Sequence, residues 1–159
     1  MNSDSKLPCV TRAALSMAFI RNLAAWAGFA FALNLVWEVA QLPLYTIFAA
    51  GTPTEIAFAI AHCTVGDVLI AVSSFVLGLI VTRRPDWPMS RPLLGGMVAT
   101  LFGLLYTAFS EWQNVYQTGS WSYAPAMPLL FGIGLAPLLQ WLVIPPLCIA
   151  WLGNRRIAM

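Results

Sequence analysis

The chain has 159 residues, enough for one domain, and 60% of them are hydrophobic while only 9% are charged. A soluble domain carries about 25% charged residues, so this composition cannot build a water-facing surface and most of the exterior must face lipid. The net charge of +2 is small, and nothing in it supports binding to nucleic acid.

Residues 1–19 contain only a short apolar stretch and no small-residue cleavage site after a clean hydrophobic core, so they read as retained rather than as a signal peptide. Residues 12–21 are expected to form a short interfacial helix leading into the membrane. Four apolar runs then reach the length of about 20 residues that a spanning helix needs: 23–42, 56–81, 93–112 and 127–151. The expected fold is all-α, a polytopic four-transmembrane-helix bundle forming a single membrane domain over residues 1–159. Pro43 and the Gly51–Thr52–Pro53–Thr54 stretch close the first connection, and Arg83, Arg84, Pro85, Asp86, Trp87 and Pro88 make the second. Thr118, Gly119 and Ser120 mark the third, with Pro125 and Pro128 leading into the last run. Pro137, Pro145 and Pro146 predict a fourth helix that is kinked or locally unwound. Gly95, Gly96, Gly103 and the Ser74/Gly78 pair offer small surfaces for close helix packing.

All eight Lys and Arg residues fall in three places: Lys6, Arg12 and Arg21 before the first run, Arg83, Arg84 and Arg91 between the second and third, and Arg155 and Arg156 after the fourth. With an even number of spans these segments share one side, which the positive-inside rule makes cytoplasmic, so both termini are expected there. Tyr45, Trp112, Tyr116, Trp121 and Tyr123 near the opposite boundary, and Trp87 and Trp151 near the inner one, match the aromatic belts of membrane interfaces.

Polar residues interrupt this apolar frame. The first run carries Asn34, Glu38 and Gln41 on one helical face, within about 60° of each other, with Trp37 adjacent. The second carries His62, Cys63, Thr64 and Asp67; the third ends in Thr107, Ser110, Glu111 and Asn114, next to Trp112; the fourth carries Gln140 beside Trp141. At about 1.5 Å rise per residue, Glu38 lies about 6 Å and Asn34 about 12 Å inside the outer end of its helix, His62 about 9 Å and Asp67 about 17 Å inside theirs. The inner halves carry almost no polar group. The predicted arrangement is a polar funnel, open outward and sealed inward.

An acidic or basic residue at a helix centre costs about 2.5–3.5 kcal/mol on insertion scales, so these side chains must face one another, a wet cavity or a partner. Glu38, Asp67, Glu111 and His62 are the candidates for acid–base chemistry, and Asn34, Trp37, Gln41, Trp112, Asn114 and Gln140 for contacts to a substrate. Each has a plainer alternative. Glu38 and Glu111 lie near enough to the interface for water to reach them, His62 can be a satisfied core histidine, and the amides can be interhelical hydrogen-bond glue. The tryptophans can be packing or belt residues. No cofactor is expected. His62 with Glu38, Asp67 and Glu111 could supply one nitrogen and several oxygens to iron, manganese or zinc, but no local ligand pair such as ExxH supports a metal. Cys9, Cys63 and Cys148 show neither a CxxC pair nor zinc spacing, and no disulfide framework is expected.

The stretches at 34–46 (NLVWEVAQLPLYT), 62–67 (HCTVGD), 110–114 (SEWQN) and 137–145 (PLLQWLVIP) resemble a group of small bacterial inner-membrane proteins. The resemblance covers most of the chain after about residue 20. It implies a multi-pass protein of a prokaryotic inner membrane and adds no reaction. A looser similarity to small helical membrane isomerases and carotenoid cyclases, which place carboxylates, Asn and Trp in a bundle cavity, is one of fold alone. Three functions fit the sequence. The first is an intramembrane enzyme acting on a lipid or isoprenoid-like substrate. The second is an accessory or binding subunit whose polar face meets another membrane protein or a second copy. The third is a proton-linked transporter, for which four helices without an inverted repeat are a poor frame.

Overall fold

A computed structural model describes residues 9–157, with side chains over 17–154. Four long helices dominate it: α1 (Cys9–Gln41), α2 (Pro53–Thr82), α3 (Pro92–Trp112) and α4 (Leu135–Ile157). Centred on them are four segments long and apolar enough to cross a membrane, Met17–Leu44, Pro53–Thr82, Pro92–Gln117 and Leu135–Asn154, which together make a membrane-embedded helical bundle. Each long helix packs on its neighbour in sequence and α4 closes on α1, while the diagonal pairs have no substantial contact. An even number of antiparallel crossings puts the start of α1 and the end of α4 at one end, here the terminal face; the opposite end is the distal face.

The helix boundaries follow local chemistry. Thr52 caps α2: its hydroxyl accepts from the Glu55 N–H at 3.3 Å and the Glu55 carboxylate accepts from the Thr52 N–H at 2.8 Å, with Pro53 in the first turn. This reciprocal pairing satisfies two of the orphan donors of a helix start. At the other end of α2, Arg83 takes a left-handed conformation (φ 55°) and its N–H returns to the Leu79 carbonyl. Past Trp112, α3 widens into a π turn over Gln113–Gln117.

Two expectations do not hold. Residues 12–21 do not form a separate interfacial helix; they continue the 33-residue α1. Residues 127–134 are not the first turns of the fourth span. They form a small β-hairpin, β1 (Leu129–Leu130) and β2 (Ile133–Gly134), and α4 starts at Leu135. The two turn residues, Phe131 (φ 51°) and Gly132 (φ 85°), both have positive φ, as a two-residue hairpin of the tight mirror-image type requires. An apolar run hid this turn, because periodicity cannot separate a short buried helix from a strand. Pro137 then falls in the first turn of α4, where a missing N–H costs nothing. The helix continues through Pro145 and Pro146 without unwinding.

The terminal half is held by tryptophans set into glycine hollows. Trp87, from a one-turn helix (Trp87–Ser90) in the α2–α3 connection, is fully buried, and its indole N–H donates to the Phe75 carbonyl at 3.0 Å. It lies against Gly78 of α2 and Gly95 of α3, where a Cβ at Gly95 would stand 2.0 Å from the indole. Trp26 of α1 reaches α2 the same way, donating to the Ala71 carbonyl at 2.9 Å, and its ring meets Phe75 and Trp87 at 5.6 and 5.3 Å. Trp141 of α4 rests on Gly103 of α3. The small residues that sequence reading assigned to packing therefore include three, Gly78, Gly95 and Gly103, that serve as sockets for indoles.

Candidate functional site

Distal to these aromatics the bundle encloses a cavity of about 880 Å³. Its lining stops at Ser73 on α2, Phe102 on α3 and Gln140 on α4; beyond them come Phe75, Trp26, Trp87 and Trp141. The cavity is thus closed toward the terminal face. Its wall includes Phe58 and Leu69 of α2 and Tyr106 of α3, all with largely exposed side chains. A pocket walled by residues of the outer surface opens through that surface, so this one opens sideways between the distal parts of α2 and α3.

Of the ten candidates, seven line this cavity: Glu38, Gln41, His62, Asp67, Glu111, Asn114 and Gln140. The polar network at its floor joins three helices. The Glu38 and Asp67 carboxyl groups lie within interaction range of each other. A carboxylate has no donor, so the two can hydrogen-bond only when a proton sits on one of them. Gln140 donates its amide to Asp67 Oδ2 at 2.7 Å and to Asn34 Oδ1 at 2.6 Å, tying α4 to α2 and to α1. Gln41 donates to Glu38 Oε1 at 2.7 Å from one turn further along α1, as the shared face of Asn34, Glu38 and Gln41 anticipates. Asn34 is buried beneath Gln140 and supports the floor without lining the cavity.

Glu111 stands slightly apart, in electrostatic range of the other two carboxyls, and has its own donors. The Tyr123 hydroxyl donates to it at 2.6 Å and the Tyr45 hydroxyl at 3.3 Å. Both tyrosines come from distal loops that pair through an antiparallel bridge between Tyr45 and Tyr123, backed by Thr46 N–H to the Ser122 carbonyl and Ala124 N–H to the Leu44 carbonyl. The Tyr123 oxygen also accepts the Gly134 N–H at 2.9 Å, which fixes the hairpin before α4. Burial first, and then the neighbouring Glu111 carboxylate, push both hydroxyls above the ordinary tyrosine range, so they stay protonated donors. The Trp121 indole nitrogen faces the same carboxylate without completing a hydrogen bond of good geometry. Glu111 is therefore the clamp of the distal cap as well as a wall of the cavity.

Two candidates, Trp37 and Trp112, stand elsewhere, and His62 lines only the mouth. Trp37 packs on the apolar core and does not line the cavity. Trp112, on the exposed face of α3, pairs with Phe109 at 6.2 Å and is not a contact residue of the site. His62 is exposed, stacks on Phe58 at 5.7 Å and sits at the cavity mouth rather than among the carboxyls. Sequence reading missed Tyr45, Tyr123 and Trp121, which it placed in the interfacial aromatic belt. No spacing within a helix links loop tyrosines to Glu111; only the loop pairing does. Among the described residues no three of His, Cys, Asp and Glu converge as ligands for a metal ion. Cys63, in the cavity wall, and Cys148 are free thiols.

No family model, no curated protein and no solved structure matches the chain.

Proposed function

We propose that this chain is an intramembrane enzyme whose distal cavity takes an amphiphile through the opening between α2 and α3, and that Glu38 and Asp67 carry out proton transfer on its buried end. The observation that carries this reading is the convergence of Glu38 and Asp67, each held by an amide donor, on the floor of a closed-bottomed cavity. Two carboxyls sharing a proton can work as a donor and an acceptor at once. One gives its proton to one carbon of an alkene beside the substrate's head group; the other takes a proton from the saturated carbon next to the alkene's other carbon. The double bond moves by one position and the pair ends with the proton count it began with. Gln140 and Gln41 hold the two carboxyls in register through one hydrogen bond each, and Asn34 fixes Gln140. A volume of about 880 Å³ falls within the roughly 300–1,000 Å³ of small-molecule sites. The aromatic floor of Trp26, Phe75 and Trp87 favours an enzyme over a transporter, because it leaves no polar path to the terminal face.

The membrane proposed is a bacterial inner membrane with both termini cytoplasmic. Its support is that all eight Lys and Arg residues fall, in sequence, before the first apolar run, between the second and third, and after the fourth. The cavity then opens in the outer leaflet.

Asp67→Asn and Glu38→Gln keep shape while removing the exchangeable proton. In cells carrying either variant, the membrane lipid profile should show the substrate accumulating and conversion reduced by about 10²-fold or more. A profile identical to wild type in both variants, with the protein present at normal levels, would defeat the proposal. A second reading, an accessory subunit, is favoured by one feature. The hairpin presents Leu129, Leu130 and Phe131 to the outside, with Phe131 98% exposed and at positive φ. Stable co-purification with one membrane protein, abolished by Phe131→Ser, would select it.

A further inference from the structure

Four of the six acidic residues, Glu38, Glu55, Asp67 and Glu111, line the cavity, and no Lys or Arg among the described residues does. The sequence has no Lys or Arg between Arg21 and Arg83 or between Arg91 and Arg155, and its one histidine, His62, is exposed at the cavity mouth, so neither lysine nor arginine balances them in the distal half. Two of the four are accounted for. Glu55 is engaged in the α2 cap at the mouth, and Glu111 is answered by two tyrosine hydroxyls. Glu38 and Asp67 are not balanced; each has one amide donor and the other carboxyl.

A second observation is independent of charge. Gln41 is only 6% exposed and lines the cavity, yet its side-chain oxygen has no hydrogen-bond partner, its nitrogen being spent on Glu38. Buried acceptors without partners are rare, because leaving one unmade costs about 1–3 kcal/mol. An unfilled acceptor beside two carboxyls marks a place where N–H groups from outside are due. The rest of the wall, with Leu42, Ile47, Phe58, Leu69, Ile70 and Phe102, is apolar and runs out to the opening between α2 and α3.

We infer that the cavity's ligand is an amine-bearing amphiphile, its protonated amino group seated between Glu38, Asp67 and the Gln41 oxygen and its hydrocarbon chain lying along the α2–α3 opening. An ammonium supplies both what the floor lacks, a positive charge and several donors on one small atom. This rests on the lateral amphiphile cavity proposed above and names the class of head group it selects.

The test uses the full chain in phosphatidylcholine nanodiscs, titrated with dodecylamine, dodecanol, dodecanoate, dodecyl glucoside and butylamine while its thermal midpoint is followed. Dodecylamine should bind at least tenfold more tightly than the other dodecyl compounds and than butylamine. Asp67→Asn and Glu38→Gln should each weaken it at least tenfold. If dodecyl glucoside or dodecanol binds as well as the amine and loses affinity in Asp67→Asn, the amine inference is overturned while the amphiphile cavity stands. Butylamine binding as tightly as dodecylamine would overturn the amphiphile part and leave a soluble amine. If no probe depends on Asp67 or Glu38, both proposals fall. The wild-type series alone decides between head groups, so a variant that fails to fold does not spoil the test.

Discussion

The terminal and distal halves of the bundle solve the same packing problem in opposite ways. In the terminal half, indoles fill glycine hollows and rings join the helices: Trp87 between Gly78 and Gly95, Trp141 on Gly103, Trp26 against Phe75. In the distal half the helices are joined by amide and carboxyl contacts across an open cavity. Lipid tails are as apolar as leucine, so helices in a membrane gain little from mere hydrophobicity and depend on close packing and hydrogen bonds. The close packing is concentrated at one end, and that end can carry the stability while the other keeps space for a ligand. The most sensitive positions for folding and for function should therefore separate along the bundle axis.

The strongest way to break this division is Trp87→Ala. It removes the ring that spans α2 and α3 and leaves a cavity where nothing else can collapse, so a loss of about 3–5 kcal/mol is expected, read as a lower midpoint in thermal or denaturing-detergent unfolding. A loss below about 1 kcal/mol would mean that the terminal half is not the anchor. Gly103→Ala comes next. Its Cβ would stand 1.9 Å from Trp141, so ring or helix must move, at a cost of about 1–3 kcal/mol. Gly28→Ala, with open space around its Cβ, is the control and should stay within about 0.5 kcal/mol of wild type. Equal effects at the two glycines would show that the socket contacts carry no special weight.

How much of this was legible in the sequence depends on the range of the interaction. The four spans and the shared face of Asn34, Glu38 and Gln41 follow from helix period and length, which are local properties. The grouping of Thr107, Glu111 and Asn114 follows in the same way, and all three do line the cavity. The meeting of Glu38 with Asp67 could be argued only from cost, since a buried carboxyl needs company but the sequence does not say whose. Trp112 was misplaced because a tryptophan near a polar helix face and one on the lipid face look alike until the helix is rotated into its bundle. The hairpin at Leu129–Gly134 was hidden by its own hydrophobicity. Tyr45 and Tyr123 lay beyond reach, because their role depends on two loops pairing across the distal face.

The smallest expected effect sharpens the comparison within the distal half itself. Tyr123 gives Glu111 a 2.6 Å hydrogen bond and takes one from the Gly134 N–H, whereas Tyr45 gives a single 3.3 Å contact. Tyr123→Phe strands a carboxylate oxygen and a backbone donor together and should cost about 2 kcal/mol; Tyr45→Phe should cost under about 1 kcal/mol. Both hydroxyls are held above the ordinary tyrosine range by burial and by Glu111. Their stabilising contribution is therefore complete below about pH 10, the unfolded tyrosine value, and is lost as pH rises toward the raised folded values. In the unfolded chain the hydroxyls ionise first, so stability must fall with rising pH in that window. Unfolding midpoints measured from pH 8 to 11 should decline more steeply in wild type than in Tyr123→Phe or Tyr45→Phe, because in this window each tyrosine contributes through ionisation of the unfolded chain alone. If the three alkaline slopes coincide, the tyrosine–Glu111 clamp does not hold the distal cap, and the cavity mouth must be kept in shape by the backbone pairing of Tyr45 with Tyr123 alone.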